Sequence, residues 1–577
     1  MTSTYTPPLA PVADSLWLSA LVGLLPLLTV FITLGALRWK AHWAGLAALA
    51  VAILVAVLAF EMPVNLALLS ASEGAVFGLF PIMWIVFCAI VLYQITVVSG
   101  RFDDLRASFH LVSDDPRIQA IIIAFCFGAM LEALAGFGAP VAITGVMLMA
   151  VGFSPLRAAA VALLANTAPV AFGAVGTPII TAGTLTKIDY NEIGAYVGHQ
   201  TPVLALFVPL MLVALVDGKR GMKQTWPIAL VVGFAFAVAQ WVSATWISVE
   251  LTDVIAALVA LAAAVVMLRF WQPTGREEAL ADLAAARKRE LASVGSGSAG
   301  SGSLADDADA DADDAVESKE DMDARARDLT PGRIGMALFP YLLVIAVFAA
   351  AKLIEPIKEF LVGTDQKIEW PGLHGEIVNA AGKVSSTTTY NFQWLSSPGT
   401  LLLICSLITA LVYKVSLGKW AKEFGESAIK LRFAFLTVAS VLALAYVMNL
   451  SGQTITIGTW IAGTGTAFAF LSPILGWLGT AVTGSDTSAN ALFATLQQTA
   501  GQKAGIDPTL LVASNSSGGV VGKMISPQNL TIAATSVGLL GRESDIFRKV
   551  VLWSLGLLAL MCVLVGLQAT VLSWMLP

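Results

Sequence analysis

The amino-acid sequence predicts an all-α polytopic membrane protein of about 12–14 membrane segments, arranged as an inverted repeat with interrupted helices or re-entrant hairpins. Three observations carry that expectation. Of 577 residues, 57% are hydrophobic and only 12% are Asp, Glu, Lys or Arg, about half the charged share of an ordinary soluble domain. The apolar residues fall in blocks about 20 long, which at ~1.5 Å per residue cross a ~30 Å hydrocarbon layer. Two longer apolar regions, 118–197 and 455–540, are broken by Gly, Pro, Ser, Thr and Asn and resemble each other.

In chain order, the plain blocks place spans near 14–37, 42–60, 76–98, 199–216, 227–248, 251–270, 334–354, 399–413, 433–450 and 550–574. The block Ser15–Leu37 lacks a preceding basic region and a small-residue cleavage site, so it is expected to be a retained first span rather than a signal peptide. Basic residues set the expected sidedness. Loops 38–43, 99–117, 217–226, 414–432 and 541–549 carry two, three, three, five and three Lys or Arg, whereas 61–75, 244–252 and 450–455 carry none. Basic loops favour the cytoplasm, which puts both termini and the loop 355–398 outside and 271–333 inside. Trp39, Trp43, Trp241, Trp246 and Trp271 lie near span ends, where amphipathic rings favour the interface.

The chain therefore divides into a membrane half at 1–270, a linker at 271–333 and a second membrane half at 334–577. The linker passes from a charged, helix-compatible stretch, Arg276–Leu291, through a Gly/Ser run at 295–303 to an Asp/Ala block ending near Asp328. With almost nothing apolar to bury, it is expected to be disordered. Residues 272–333 hold 8 basic and 15 acidic residues. The net charge of −6 thus comes from the linker, and no basic patch suggests a nucleic-acid partner. The loop 355–398 is polar and carries no recognisable chemistry. Cys88, Cys126, Cys405 and Cys562 sit in apolar runs at no ligand-like spacing, which points to buried small hydrophobes and not to a metal site.

The two broken regions share an order of features. Gly136-Phe-Gly-Ala-Pro140 and Thr483-Gly-Ser-Asp-Thr-Ser-Ala-Asn490 come first. Gly152-Phe-Ser-Pro155 and Gly505-Ile-Asp-Pro508 follow, and then Asn166 and Asn515, each twelve residues before a proline, Pro178 or Pro527. Given the sidedness above, the first region is entered from the cytoplasm and the second from outside, the pattern of inverted-repeat transporters. Backbone that leaves the helix inside hydrocarbon must satisfy its polar groups against protein, water or ligand, and exposed helix N-termini attract anions. Asn166, Thr167, Asn515 and Ser516 are accordingly the candidate solute contacts.

Ionisable residues at membrane depth are functional candidates by default. Glu132 lies deep in an apolar segment and Asp486 in the corresponding place of the second half. Both are candidate proton carriers, and Asp486 is also a candidate helix cap or cation ligand. Lys523, flanked by Gly522 and Met524, is a candidate counter-charge for a substrate carboxylate or a partner for Glu132 or Asp486. Arg157 suits snorkelling to the interface, and Lys187, Asp189, Glu192 and His199 cluster near a surface. No convergent nucleophile–base or metal constellation suggests an enzyme, and no cofactor is expected.

These segments also carry a resemblance. Glu132-Ala-Leu-Ala-Gly-Phe-Gly-Ala-Pro-Val-Ala-Ile-Thr144, Asn166-Thr-Ala-Pro-Val-Ala-Phe-Gly-Ala-Val-Gly-Thr-Pro178, Thr483-Gly-Ser-Asp-Thr-Ser-Ala-Asn-Ala-Leu-Phe493, Gly518-Gly-Val-Val-Gly-Lys-Met-Ile-Ser-Pro527 and the tail Gly538-Leu-Leu-Gly-Arg-Glu-Ser-Asp545 resemble the lactate permease family over most of both halves. The resemblance implies proton-coupled import of L-lactate, with D-lactate and glycolate, across the bacterial cytoplasmic membrane. The implied partners are a small 2-hydroxy monocarboxylate, a proton and the lipid bilayer, with a homo-oligomer as a further candidate. The long acidic linker and the 355–398 loop depart from the family pattern. A sodium-coupled carrier of another small organic acid is the competing reading, because Asn/Ser/Thr-rich breaks also cage Na⁺.

Overall fold

The structure, a computed structural model, describes residues 4–110, 112–136, 138–295, 328–378 and 383–577. Ten helices among the described residues are long and apolar enough to cross a membrane: Leu16–Ala36, Ala41–Leu58, Val64–Val98, Pro116–Ala135, Thr201–Ile247, Thr252–Phe270, Pro331–Lys352, Arg432–Ser451, Gln453–Thr483 and Glu543–Gln568. The protein is an all-α polytopic membrane protein. Its outer helices turn large apolar side chains outward, Leu58 and Leu552 each being 76% exposed, as a lipid-facing surface requires.

Three boundaries differ from the sequence expectation. The spans expected at 199–216 and 227–248 run together as the 47-residue Thr201–Ile247. At ~1.5 Å per residue that is about 70 Å, more than twice the hydrocarbon thickness. Its backbone leaves helical geometry at Gly218 (φ 60°, ψ −146°), so it is two helices joined at a kink. The span expected at 76–98 begins at Val64 instead, which draws most of the supposed loop 61–75 into a helix. The last span runs over Glu543–Gln568 and not 550–574.

The two broken regions fold into helices in the same order. Pro116–Ala135, Ala139–Val151, Pro155–Ala165 and Thr177–Thr186 make the first set. Gln453–Thr483, Asp486–Ala504, Pro508–Gly522 and Pro527–Ser536 make the second. The Gly-x-x-Pro pairs have one physical explanation. Gly152 (φ 116°) and Gly505 (φ 70°) end their helices in the left-handed region, which glycine adopts without Cβ strain. Pro155 and Pro508 then open the next helix, where the missing N–H is no loss. Asp507 completes the second turn by accepting from the backbone N–H of Thr509 at 2.8 Å. The thirteen-residue Ala139–Val151 is only about 20 Å long, too short to cross the hydrocarbon layer.

All of the apolar stretch of Pro116–Ala135 is buried, against 28% of that of Pro331–Lys352. Protein therefore surrounds the helix that carries Glu132. Its start is fixed by Arg117, whose guanidinium is fully buried. Arg117 pairs with Asp115 at 2.7 Å and Asp217 at 3.3 Å and donates to the Thr274 carbonyl at 2.8 Å. That cluster ties the helix to the Gly218 kink and to the entry of the linker.

The linker's first part is the helix Arg276–Gly295, as the charged stretch suggested. It lies across the turn between Ala139–Val151 and Pro155–Ala165. Glu290 accepts from the Leu156 backbone N–H at 2.7 Å, Arg287 donates to the Met149 carbonyl at 3.4 Å, and Arg220 pairs with Asp282 at 2.7 Å. Arg157 faces Glu290, Asp217 and Asp282, so its surroundings are acidic groups rather than the bare interface expected of a snorkelling side chain. The Gly/Ser run and most of the Asp/Ala block, with the disorder expected of them, lie outside the described residues.

The loop 355–398 is more than a polar connection. It contains the helix Glu355–Gly363 and a small antiparallel ribbon of Gln366–Glu369 and Thr389–Phe392, with Gln366 opposite Phe392. Tyr390 donates its hydroxyl to the Phe80 carbonyl at 2.7 Å, and Trp370 donates to Ser72 at 3.1 Å. These bonds pin the ribbon to the Val64–Val98 helix.

Candidate substrate and proton site

The breaks in the two helix sets meet in the interior, and all seven candidate residues are buried there: Glu132, Asn166, Thr167, Asp486, Asn515, Ser516 and Lys523. Glu132 comes from the fully buried helix Pro116–Ala135. Asn166 ends Pro155–Ala165 as its C-terminal cap residue. Lys523 follows the last residue of Pro508–Gly522, in the short turn before Pro527. Lys523 Nζ lies 2.7 Å from Glu132 Oε1, and Asn166 Nδ2 donates to Glu132 Oε2 at 2.9 Å. Glu132 is thus held from both halves of the chain, by an amide on one side and an ammonium on the other.

Asp486 occupies the second half of the site. The residue capping its helix is Ser485, whose hydroxyl accepts from the Ser488 backbone N–H at 3.4 Å. Asp486 is the first helical residue and is not the cap. Its Oδ1 accepts from Thr480 at 3.3 Å, its Oδ2 has no hydrogen-bond partner, and Lys523 lies within its electrostatic reach. Room for this carboxylate depends on Gly519, where a Cβ would stand 1.9 Å from Asp486 Oδ1. Lys523 therefore faces two carboxylates while bonding one.

Asn515 and Ser516 belong to an adjoining polar ladder. Asn515 Nδ2 donates to Asn490 Oδ1 at 2.9 Å, and Asn490 Nδ2 donates to the Pro178 carbonyl at 3.1 Å and to Ser516 at 2.5 Å. Gln497 donates to the Ser472 carbonyl at 2.9 Å and accepts from the Ser472 hydroxyl at 2.7 Å; Ser472 and Ser514 also bond each other. The Asn490 bond to Pro178 joins the helix Asp486–Ala504 of the second set to the first-half break. Thr167 spends its hydroxyl on the Leu164 carbonyl of its own helix at 2.7 Å and stands apart from this ladder.

The alignment of Asn166 with Asn515 does not survive as geometry. Asn166 stands at the start of a break that runs to Gly176, whereas Asn515 lies inside the continuous helix Pro508–Gly522 and the second break falls at 523–526. Asn490, Gln497 and Ser472 were not singled out from sequence. Their signal is the stripe Asp486, Asn490, Gln497, spaced by four and seven on one helical face. His199 is held at both ring nitrogens: Trp241 Nε1 donates to its Nε2 at 2.9 Å, and its Nδ1 lies 2.7 Å from the Ala195 carbonyl. Asp189 caps Tyr190–Val197, and Glu192 accepts from Thr509 at 3.0 Å.

Among the described residues no group of three or more His, Cys, Asp or Glu is placed to hold a metal ion. The site is a buried cage with one lysine ammonium, amides and hydroxyls, and two carboxylates. Chemically it can hold a small anion and trade protons.

The model of the family described as L-lactate permease matches residues 19–572. The L-lactate permease of Bacillus subtilis (strain 168) is 41% identical over 600 residues, covering 100% of both chains. The glycolate permease GlcA of Escherichia coli (strain K12) is 41% identical over 571 residues, covering 97% of both. Among solved structures, that of Neisseria gonorrhoeae MtrF covers 86% of this chain and 83% of its own at 14% identity and a TM-score of 0.42. With the family model matched over nearly its whole length, this chain belongs to the L-lactate permease family.

Proposed function

We propose that this protein is a secondary transporter that imports L-lactate, with D-lactate and glycolate, by proton symport across the bacterial cytoplasmic membrane. The observation that carries the reading is the Lys523–Glu132 pair with Asn166 on the second carboxylate oxygen. While Glu132 is ionised, it occupies the ammonium that a substrate carboxylate needs. A proton on Glu132 neutralises it and frees Lys523 for the anion, so proton and monocarboxylate bind together. The loaded cage then has the charge it had when empty, which removes the electrostatic penalty of carrying a lone anion through hydrocarbon. Asp486 offers a second place for the proton. Asn490 and Ser516, with the amide of Asn166, are suited to read the 2-hydroxyl.

The matching order of the two helix sets and the short Ala139–Val151 helix support an inverted repeat of re-entrant hairpins and broken helices. On the positive-inside reading, both termini lie outside and the linker inside. Substrate can favour one state of the cycle only by binding it more tightly, and the cage supplies that difference.

Purified protein in proteoliposomes, given labelled L-lactate with a proton or a sodium gradient imposed separately, tests the reading. Accumulation driven by inward protons without sodium, and inhibited by glycolate and D-lactate but not succinate, is the expected result. Strict sodium dependence or preference for succinate would assign the protein to the sodium-coupled organic-acid carriers instead.

A further inference from the structure

One buried carboxylate stands outside the site described above. Glu73 lies on the Val64–Val98 helix with no exposed surface, and neither carboxylate oxygen has a hydrogen-bond partner among the described residues. Other buried carboxylates differ. Glu132 has Asn166 and Lys523, Glu250 has Lys352 and Ser248, Asp253 has Gln240, and Asp486 has Thr480. An ionised carboxylate with no donor and no paired cation in an apolar site is strongly disfavoured, whereas the neutral acid is tolerated there.

The charged and titratable groups around Glu73 come from named elements. Tyr446 faces it from Arg432–Ser451, and Lys187 lies within electrostatic reach from the end of Thr177–Thr186. The titratable side chain of Ala41–Leu58 is His42, which stacks on Phe433 at 4.7 Å. Lys187 is exposed and holds a left-handed backbone (φ 60°). It is therefore the exposed one of these groups.

The placement of Lys187 links Glu73 to the solute cage. Thr177–Thr186 is the half-helix after the first break, and its N-terminal turn accepts the Asn490 bond at Pro178. Its far end is held by Gln498, which donates to the Thr186 carbonyl at 2.8 Å. Asn490 and Gln498 both belong to Asp486–Ala504. A shift of that helix would carry Lys187 with it, while Glu73 belongs to a helix packed on Arg432–Ser451, which meets Asp486–Ala504 through the bond from Asn449 to Thr495 at 3.2 Å.

We propose that Glu73 is a further proton-binding residue of the transport cycle, neutral in this conformation and ionised when Lys187 moves alongside it. The proton leaves on the exposed side of Lys187, and the ammonium replaces it as the compensating charge. This inference rests on the proton-symport reading above.

The test uses the full-length protein and Glu73→Gln, which keeps the shape of the neutral acid. Infrared spectroscopy of the reconstituted protein is expected to show a protonated-carboxyl C=O band at neutral pH that E73Q lacks. Labelled lactate uptake measured against pH is expected to lose its rise toward acid pH in E73Q. A band unchanged in E73Q overturns the proposal whatever the uptake. A lost band with an unaltered pH profile leaves a structural proton and overturns the role in the cycle. Thermal unfolding of E73Q in detergent shows whether the variant is folded; should it not fold, Lys187→Gln supplies the second arm. Its expected result is the retained carboxyl band with a flattened pH profile, and an unaltered profile contradicts the proposal. Absence of lactate uptake in the unaltered protein would sink the transport reading, and the infrared band would still report the proton on Glu73.

Discussion

Lys523 and Glu132, 391 positions apart in sequence, meet at 2.7 Å in the interior, with both side chains less than a tenth exposed. The pair joins the two halves of the chain at the place where their helices break. A desolvated pair of this kind is costly to break from one side, because the remaining charge is left without compensation. The same cost makes the pair responsive to a proton or to a competing anion.

The first prediction follows from that asymmetry. Lys523→Ala strands Glu132 and is expected to lower stability by about 3–5 kcal/mol, while Glu132→Gln with Lys523→Gln together cost less than the sum of the single changes. Thermal unfolding in detergent reads both. Additive single and double variants would mean that the two residues do not interact.

The second prediction concerns Gly519. A Cβ there would overlap Asp486 Oδ1 at 1.9 Å and crowd Thr480 Oγ1 at 2.7 Å. Gly519→Ala is expected to abolish lactate uptake. Gly556→Ala, with nothing within 4 Å of its Cβ, is expected to be silent and serves as the control. Normal uptake in Gly519→Ala would contradict the position given to Asp486.

A third prediction tests the buried cluster at the start of the Glu132 helix. Arg117→Ala leaves Asp115 and Asp217 without their guanidinium and is expected to cost about 3–5 kcal/mol. Arg117→Lys recovers only part of this, since an ammonium lacks the fork that bonds Asp115, Asp217 and Thr274 at once. Yield and unfolding temperature measure the effect.

The fourth prediction addresses the linker helix. Glu290 supplies an acceptor to the free N–H of Leu156 in the first turn of Pro155–Ala165. Glu290→Ala is expected to cost about 1 kcal/mol, as the loss of a helix cap does. Hydrogen exchange at residues 155–158 is expected to quicken. Unchanged exchange there would mean that the helix does not brace this turn in solution.

How far the sequence reads is clearest at particular residues. Gly152–Pro155 and Gly505–Pro508 were legible because a left-handed glycine and a helix-opening proline each have few other uses. Glu132 and Lys523 are legible because charge is rare at membrane depth, but two residues 391 positions apart carry no sequence signal that they touch. Asn515 was misleading: its distance from Pro527 matches that of Asn166 from Pro178, yet it sits in a continuous helix. Glu73 falls just outside the apolar block that begins at residue 76, so hydropathy alone does not place it at membrane depth. The buried positions Leu66, Ser70, Glu73, Gly74 and Phe77 do carry a helical period through it. The ribbon in 355–398 left no clear trace, since strands of four residues are too short to establish an alternation.

The central claim is that a proton on Glu132 frees Lys523 for the substrate carboxylate. Calorimetry of L-lactate binding to the purified protein, repeated in buffers of different ionisation enthalpy, counts the protons taken up on binding. The account predicts net proton uptake in the unaltered protein and its loss in Glu132→Gln, with lactate still bound. Proton uptake of the same size in Glu132→Gln would contradict it.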